Sequence, residues 1–187
     1  MLKIDNLTKS FGEKIVLDGF SANFPSGSRT LITGQSGKGK TTLLRIIAGL
    51  ETPDSGKVLL PRNAVVAMMF QEPRLFPWMS VIDNVSSVLD KADTDRIAVI
   101  LCELGLENEG KAMPSELSGG MQRRVSLART LLYPADVYLL DEPFAGLDPD
   151  MAQRAANVIF KYTKDKTVII VSHDRSMLPD DIETVVI

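Results

Sequence analysis

Cysteine, histidine and long apolar runs are scarce in this sequence, and a strong net charge is missing. Cys102 is the only cysteine, which excludes an internal disulfide and fits a reducing compartment. It lies in the apolar periodic segment 97–104, where we expect it to be buried. No apolar run approaches the roughly 18 residues of a membrane-spanning helix. The formal net charge of −3 argues against general nucleic-acid binding, which needs a clustered basic surface.

The remaining composition is that of a globular domain. Hydrophobic residues make up 44% of the 187 residues and charged residues 24%, which argues against a disordered chain. This length suffices for one domain, or for one domain with a small subdomain. Buried strands are predicted at 29–33, 65–70, 137–140 and 167–171, in alternation with segments of helical spacing. The alternation predicts an α/β fold with a mostly parallel sheet.

Two segments depart from this alternation. Residues 2–24 contain strand-like patches, which predict a β-rich N-terminal part. From position 72 to 132 the sequence favours helices at 81–89, 94–104 and 119–132, the last with Ser118 as its N-cap. We interpret this second segment as a helical insertion between sheet strands.

A glycine-rich loop between a predicted strand and a predicted helix fits the phosphate-binding pattern G-x-x-x-x-G-K-[ST]. Its backbone N–H groups can surround phosphate oxygens at the positive end of the helix. Lys40 would reach the β- and γ-phosphates, and the Thr41 hydroxyl would bind Mg²⁺. The alternative is a tight turn that only caps the helix. The candidate nucleotide-binding residues are Gly34, Gln35, Ser36, Gly37, Lys38, Gly39, Lys40, Thr41 and Thr42.

Four further polar residues follow predicted strands. Asp141 is placed to contact magnesium, and Glu142 beside it could orient or deprotonate a water molecule. A solvated acidic turn is the alternative for this pair. His173, the only histidine, would lie at the same sheet edge and contact a γ-phosphate, although isolated histidines are more often structural. Gln71 could bind a metal or position water through its amide.

Ser118, Gly119 and Gly120 open a predicted helix away from the first phosphate loop. A serine and two glycines at a helix start form a second anion cradle. The first site is already complete, so this half-site becomes useful if a second subunit supplies the other half.

Together these motifs resemble the nucleotide-binding subunit of an ATP-binding-cassette (ABC) transporter over nearly the whole chain. The resemblance implies a single domain, 1–187, with a P-loop NTPase core at 1–70 and 133–187 and a helical subdomain at 72–132. It assigns Gly34–Thr42 to the Walker A loop, Asp141 and Glu142 to Walker B, and Ser118–Gly120 to the signature. Further assignments are Gln71 to the Q-loop, Asp148 to the D-loop, His173 to the switch histidine, and Phe11 to the aromatic residue that stacks on adenine.

The resemblance also implies a mechanism and partners. Two copies would close head to tail around ATP and Mg²⁺, with the metal held by Thr41, Gln71 and Asp141. Lys40, Gln71, Glu142 and His173 would be the catalytic residues. Hydrolysis would drive import through separate membrane permease subunits, aided by an external substrate-binding protein, at the cytoplasmic face of the membrane.

The segment from Gln71 to Val85 looks like that of bacterial importers of the nitrate, sulfonate and taurine group. In that family this region docks a short helix of the membrane subunit. Phe76 and Trp78 are therefore candidate docking residues, with packing inside the helical subdomain as the alternative.

Two other functions are compatible with a cassette. A soluble, non-transport ABC ATPase is one, although such proteins usually carry two cassettes or long insertions. A nucleotide-dependent interaction module is the other, and the intact Lys40, Asp141, Glu142 and His173 argue against it. Met121 departs from the usual glutamine of the signature, and Lys38 stands where a small residue is commoner.

Overall fold

The computed structural model describes residues 1–91 and 93–187. Eight strands and five helices follow one another along these residues. Their bounds are β1 (Leu2–Phe11), β2 (Lys14–Phe24), β3 (Arg29–Thr33), α1 (Lys40–Ile47), β4 (Ser55–Leu59), β5 (Val66–Met69), α2 (Val81–Ser86), α3 (Thr94–Glu103), α4 (Gly119–Leu132), β6 (Val137–Asp141), α5 (Pro149–Tyr162), β7 (Thr167–Val171) and β8 (Glu183–Val186). A short 3₁₀ turn, Pro114–Glu116, precedes α4.

A five-stranded sheet with the order β5-β6-β7-β3-β8 forms the centre of the molecule. All four of its strand pairs are parallel. A second, antiparallel sheet has the order β2-β1-β4. The predicted α/β class, with a mostly parallel sheet and a β-rich N-terminal part, is therefore confirmed. The carboxyl ends of β3, β6 and β7 meet at one edge, where parallel sheets commonly bind ligands.

The central strands are buried on both faces and separate two hydrophobic cores. Val137 and Leu139 of β6 face α1 and the antiparallel sheet, whereas Tyr138 and Leu140 face the helices α2–α5. This alternation follows from the two-residue repeat of a strand. It explains why β6 and β7 are fully buried runs in the sequence.

Helices α2, α3 and α4 lie between β5 and β6 along the chain, as predicted, and they begin at side-chain caps. Ser80 and Asp93 accept hydrogen bonds from the first turns of α2 and α3. Ser118 accepts one from the Met121 N–H at 3.2 Å, so the predicted cap of α4 is confirmed. Helix α2 ends at Ser86, three residues before its predicted end. The division into 1–70, 72–132 and 133–187 stays a prediction.

Two further details differ from the sequence interpretation. Cys102 is exposed, because the buried side of α3 is formed by Ile97, Ile100 and Leu101 and Cys102 points away from it. The expectation of a buried cysteine was wrong. Strand β4 was not predicted, because Ser55–Leu59 contains little buried apolar surface and is held by pairing with β1.

Candidate functional site

A cleft of about 340 Å³ lies at the carboxyl edge of the parallel sheet. It brings together most of the residues that the motifs singled out, although they come from five separate parts of the chain. Its lining residues are Phe11, Lys14, Val16, Ser36, Gly37, Gly39, Lys40, Thr41, Thr42, Gln71, Asp141, Glu142, Val171 and His173.

The glycine-rich loop connects β3 to α1, and glycine is required where it touches β2. Gly39 has φ 88° and immediately precedes α1. A Cβ at this position would overlap the carbonyl oxygen of Val16. The first turn of α1 contains no acidic side chain, so no residue of that turn offsets the positive end of the helix. The loop therefore offers N–H groups to an anion.

Lys40 is enclosed by this loop. Only 7% of the residue is exposed, and its Nζ donates hydrogen bonds to the carbonyl oxygens of Gly34 at 2.8 Å and Gln35 at 3.1 Å. These contacts fix the ammonium group inside the curve of the loop. A phosphate in the cleft would gain a charge-assisted hydrogen bond from it.

Asp141 ends β6 beside this loop. It is 1% exposed, and neither carboxylate oxygen has a hydrogen-bond partner. Burial raises the pKa of Asp141, while Thr41 and Lys40 nearby oppose the rise. A buried, unpaired carboxylate next to a threonine hydroxyl fits a hard cation such as Mg²⁺. Within residues 1–91 and 93–187 no group of three or more His, Cys, Asp or Glu is placed to hold a metal.

Glu142 follows in an unusual backbone conformation. Its φ is 51°, a left-handed value that is uncommon for residues other than glycine and clusters at functional sites. Its N–H donates to the carbonyl oxygen of Val171 at 2.9 Å, and its Oε1 lies 3.4 Å from Nε2 of His173. Burial raises the pKa of Glu142, Asp141 adds to the rise, and His173 and Lys40 oppose it. A carboxylate with a raised pKa is suited to accept a proton.

Comparison with known proteins agrees with this geometry. The family model described as "ABC transporter" matches residues 17–145. The chain is also 41% identical over 181 residues to the aliphatic sulfonates import ATP-binding protein SsuB of Corynebacterium glutamicum, an alignment that covers 92% of this chain and 74% of the relative. The chain belongs to the ABC transporter family.

Other relatives and solved structures support the same assignment. The SsuB protein of Escherichia coli strain K12 is 39% identical over 183 residues, which cover 94% of this chain and 72% of that one. The fold matches the dimeric post-hydrolysis structure of the ATP-binding cassette MJ0796 bound to ADP and Pi, with a TM-score of 0.83 and 28% identity. That match covers 95% of this chain and 90% of the other. This ABC protein is an ATP-binding ATPase.

Some predicted residues of the cassette lie outside the cleft. Gly34, Gln35 and Lys38 belong to the loop but do not line the cavity. Ser118, Gly119 and Gly120 begin α4 elsewhere, with Ser118 and Gly119 exposed, so one chain does not bring them to the cleft. Asp148 caps α5 by accepting a hydrogen bond from the Met151 N–H at 2.9 Å.

Lys14 and Val16 line the cleft of this ABC ATPase but were not anticipated. They lie on β2, which returns from the turn after Phe11 and pairs that residue with Lys14. Gly12, with φ 60°, is the signal that could have found them, because a glycine-containing turn between two extended segments predicts a tight hairpin. Such a hairpin places Lys14 beside Phe11, and therefore at any site to which Phe11 belongs.

Proposed function

We propose that this ABC ATPase powers the import of a small solute through separate membrane subunits, and that its cleft holds the triphosphate of Mg-ATP. The observation that carries the proposal is the meeting of the phosphate loop, the buried Asp141, and the Glu142–His173 pair in one cleft. The SsuB relatives are named as import proteins for aliphatic sulfonates, and their names favour that class of cargo.

Binding would use groups that are already arranged. The loop amides and Lys40 would hold the β- and γ-phosphates, and the exposed ring of Phe11 at the mouth of the cleft would stack on adenine. Thr41, Gln71 and Asp141 would hold Mg²⁺, directly or through water. When bound there, Mg²⁺ would neutralise charge that develops on the transferring phosphoryl group.

Hydrolysis would depend on Glu142. We infer that its carboxylate orients the attacking water and accepts its proton, since its raised pKa makes it a better base than an ordinary glutamate. His173, close to Glu142 and mostly exposed, is free to turn toward the γ-phosphate. Gln71 would position the metal or the water from the opposite side of the cleft.

A second copy of the chain would complete the site. Ser118, Gly119 and Gly120 are at the start of a 14-residue helix and do not line their own cleft, which leaves them available as a half-site for a partner's phosphates. The structural neighbours are dimeric cassettes. In a two-fold dimer each nucleotide would lie between one loop and the other chain's signature, with Asp148 near the shared boundary.

Among the described residues no helix has the length and hydrophobicity to cross a bilayer. We infer attachment to the cytoplasmic face of the membrane through permease subunits, served by an external substrate-binding protein. The exposed Trp78 supports this attachment, because an exposed aromatic residue is an effective anchor for a partner.

The first experiment is sedimentation of Glu142→Gln with Mg-ATP and with Mg-ADP. Without its base the variant should bind ATP and not turn it over, so a dimer should accumulate with ATP only. Lys40→Ala in the same background is the control and should stay monomeric. Wild-type turnover in Glu142→Gln would refute the assigned role of Glu142. A monomer with ATP would contradict dimerisation by nucleotide alone.

A further inference from the structure

Arg123 lies on α4, five residues after Ser118, and the family motifs give it no role. We propose that Arg123 is a positioning residue for ATP hydrolysis, because one guanidinium group holds the backbone of Gln71 and the turn that begins at Glu142. The inference rests on the proposed roles of those two residues.

Both arms of the guanidinium group are engaged. Nη2 of Arg123 donates to the carbonyl oxygen of Gln71 at 2.8 Å, and Nη1 donates to the carbonyl oxygen of Ala145. The first contact fixes the backbone of a residue that lines the cleft. The second contact reaches the turn that begins at Glu142, another residue of the cleft lining.

Ala145 is directly connected to Glu142. Its N–H donates to the Glu142 carbonyl oxygen at 3.3 Å, which closes a turn. Glu142 starts this turn in its left-handed conformation, and such a conformation persists only when the surroundings hold it. A contact that fixes the Ala145 carbonyl therefore helps to hold the carboxylate of Glu142 in place.

The turn is also pressed against the start of α4. A Cβ at Gly120 would lie 3.3 Å from the carbonyl oxygen of Gly146, and one at Gly146 would lie 3.7 Å from Nη1 of Arg123. Since α4 is a continuous helix, a displacement of its N-terminus by a partner's nucleotide moves Arg123 as well. Through Arg123, the signature is thus connected to Gln71 and to the turn of Glu142 in its own chain.

Arginine is suited to this position by its shape. Its planar group presents donors in a fixed fork, so it can bridge two carbonyl oxygens at once. A glutamine amide is too short to bridge them, and a lysine ammonium is a point donor on a flexible stem. The two substitutions therefore remove different parts of the interaction.

The test is steady-state ATP hydrolysis by Arg123→Gln. Small errors in the placement of a catalytic group cost about ten- to a hundredfold in rate, so we expect kcat to fall within that range while KM for ATP changes little. Arg154→Gln is the matched control. Arg154 also donates to a backbone carbonyl, that of Cys102 at 2.6 Å, but this contact involves no residue of the cleft, and its loss should leave kcat unchanged.

Two further measurements separate positioning from general packing. Gln71→Ala and Arg123→Gln should be non-additive in kcat, because Arg123 holds the backbone of Gln71 and exerts part of its effect through the side chain that alanine removes; additive losses would overturn the inference. Arg123→Lys should have a higher kcat than Arg123→Gln. If the glutamine variant does not fold, the lysine variant is used for the test in its place. Equal losses in the two variants would indicate packing and overturn the inference.

Failure of the positioning role of Arg123 can be distinguished from failure of the proposed function. Wild-type kcat in Arg123→Gln, with Glu142→Gln inactive, would overturn the positioning role alone. Wild-type turnover in Glu142→Gln would instead remove the catalytic assignment on which the positioning role depends.

Discussion

Among single residues, Asp141 shows most clearly that the cleft is arranged for a ligand. Its carboxylate is buried without a hydrogen-bond partner, and such a group destabilises a fold unless a counter-charge is bound. Burial raises its pKa in the folded protein. The folded state therefore binds the proton more tightly than the unfolded state, and stability falls as the pH rises above the ordinary value of 3.8.

We predict that Asp141→Asn stabilises the nucleotide-free protein and abolishes Mg-dependent turnover. Removal of the charge should raise the free energy of unfolding by about 1 kcal/mol at neutral pH. For a domain of this size, that corresponds to an increase of about 2–4 °C in Tm. Thermal unfolding as a function of pH measures this. The advantage of the variant should shrink in acid, where wild-type Asp141 is protonated. A lower Tm for the variant at neutral pH would contradict the argument.

The sequence predicts the chemistry of these residues better than their conformation. Lys40 and Asp141 follow from the motif, since a phosphate loop needs a lysine and a metal contact needs an acid. The left-handed backbone of Glu142 is not predictable, because glutamate rarely adopts it and the contacts that hold it come from β7 and α4. Lys14 was missed because its place depends on the pairing of two strands.

At the scale of elements, the segment between β5 and α2 is a rigid loop that presents an aromatic side chain to solvent. Asn84 of α2 is fully buried. Its amide donates to the carbonyl oxygens of Phe76, Met79 and Ser80, and its Oδ1 accepts from the Phe76 N–H. The Trp78 ring, held on this framework, is 71% exposed. Packing inside the helical segment therefore does not account for Trp78.

We predict that Trp78→Ala weakens assembly with the membrane subunits and leaves folding and ATP binding unchanged. If Trp78 is an anchor, its truncation should weaken the free energy of binding to the permease by about 2 kcal/mol or more. Co-purification with co-expressed permease subunits measures this. Leu59→Ala is the control, because Leu59 is an exposed apolar residue on β4. Unchanged co-purification of Trp78→Ala would contradict a docking role.

The elements that the sequence predicted well are those with a strong local signal. Helix α4 was predicted at its observed bounds, because Ser118 caps it and its apolar positions are regular. Strand β4 was missed because it is fixed by the partner strand and not by its own composition. The end of α2 at Ser86 was not predicted, because no glycine or proline follows that residue to mark the end of the helix.

At the scale of the whole molecule, the proposed site is divided between two surfaces of one chain. The cleft contains Lys40, whereas Gly119 lies on exposed surface at the start of α4. A Cβ at Gly119 would meet nothing within 4 Å, so a larger side chain there should leave the single chain intact and obstruct only the phosphates of the proposed partner. This makes Gly119 a selective probe of the dimer.

We predict that Lys40→Ala and Gly119→Glu are each inactive alone and recover activity when mixed. In a mixed dimer one site combines an intact loop with an intact signature, so random pairing should restore about a quarter of the wild-type sites. ATP hydrolysis of the mixture, compared with each variant alone, measures this. No recovery after mixing would contradict a site shared between two chains.

The alternation of side chains along β6 and β7 has a consequence for how the protein opens. Successive residues of each strand belong to opposite cores. Both cores therefore contain side chains from the same two strands, and neither core can unfold while the other remains folded. The two cores should therefore unfold as one cooperative unit, and the amide hydrogens of β6 and β7 should exchange with solvent only through global unfolding. Motions of the cassette that accompany turnover are then confined to the helices and loops around these strands.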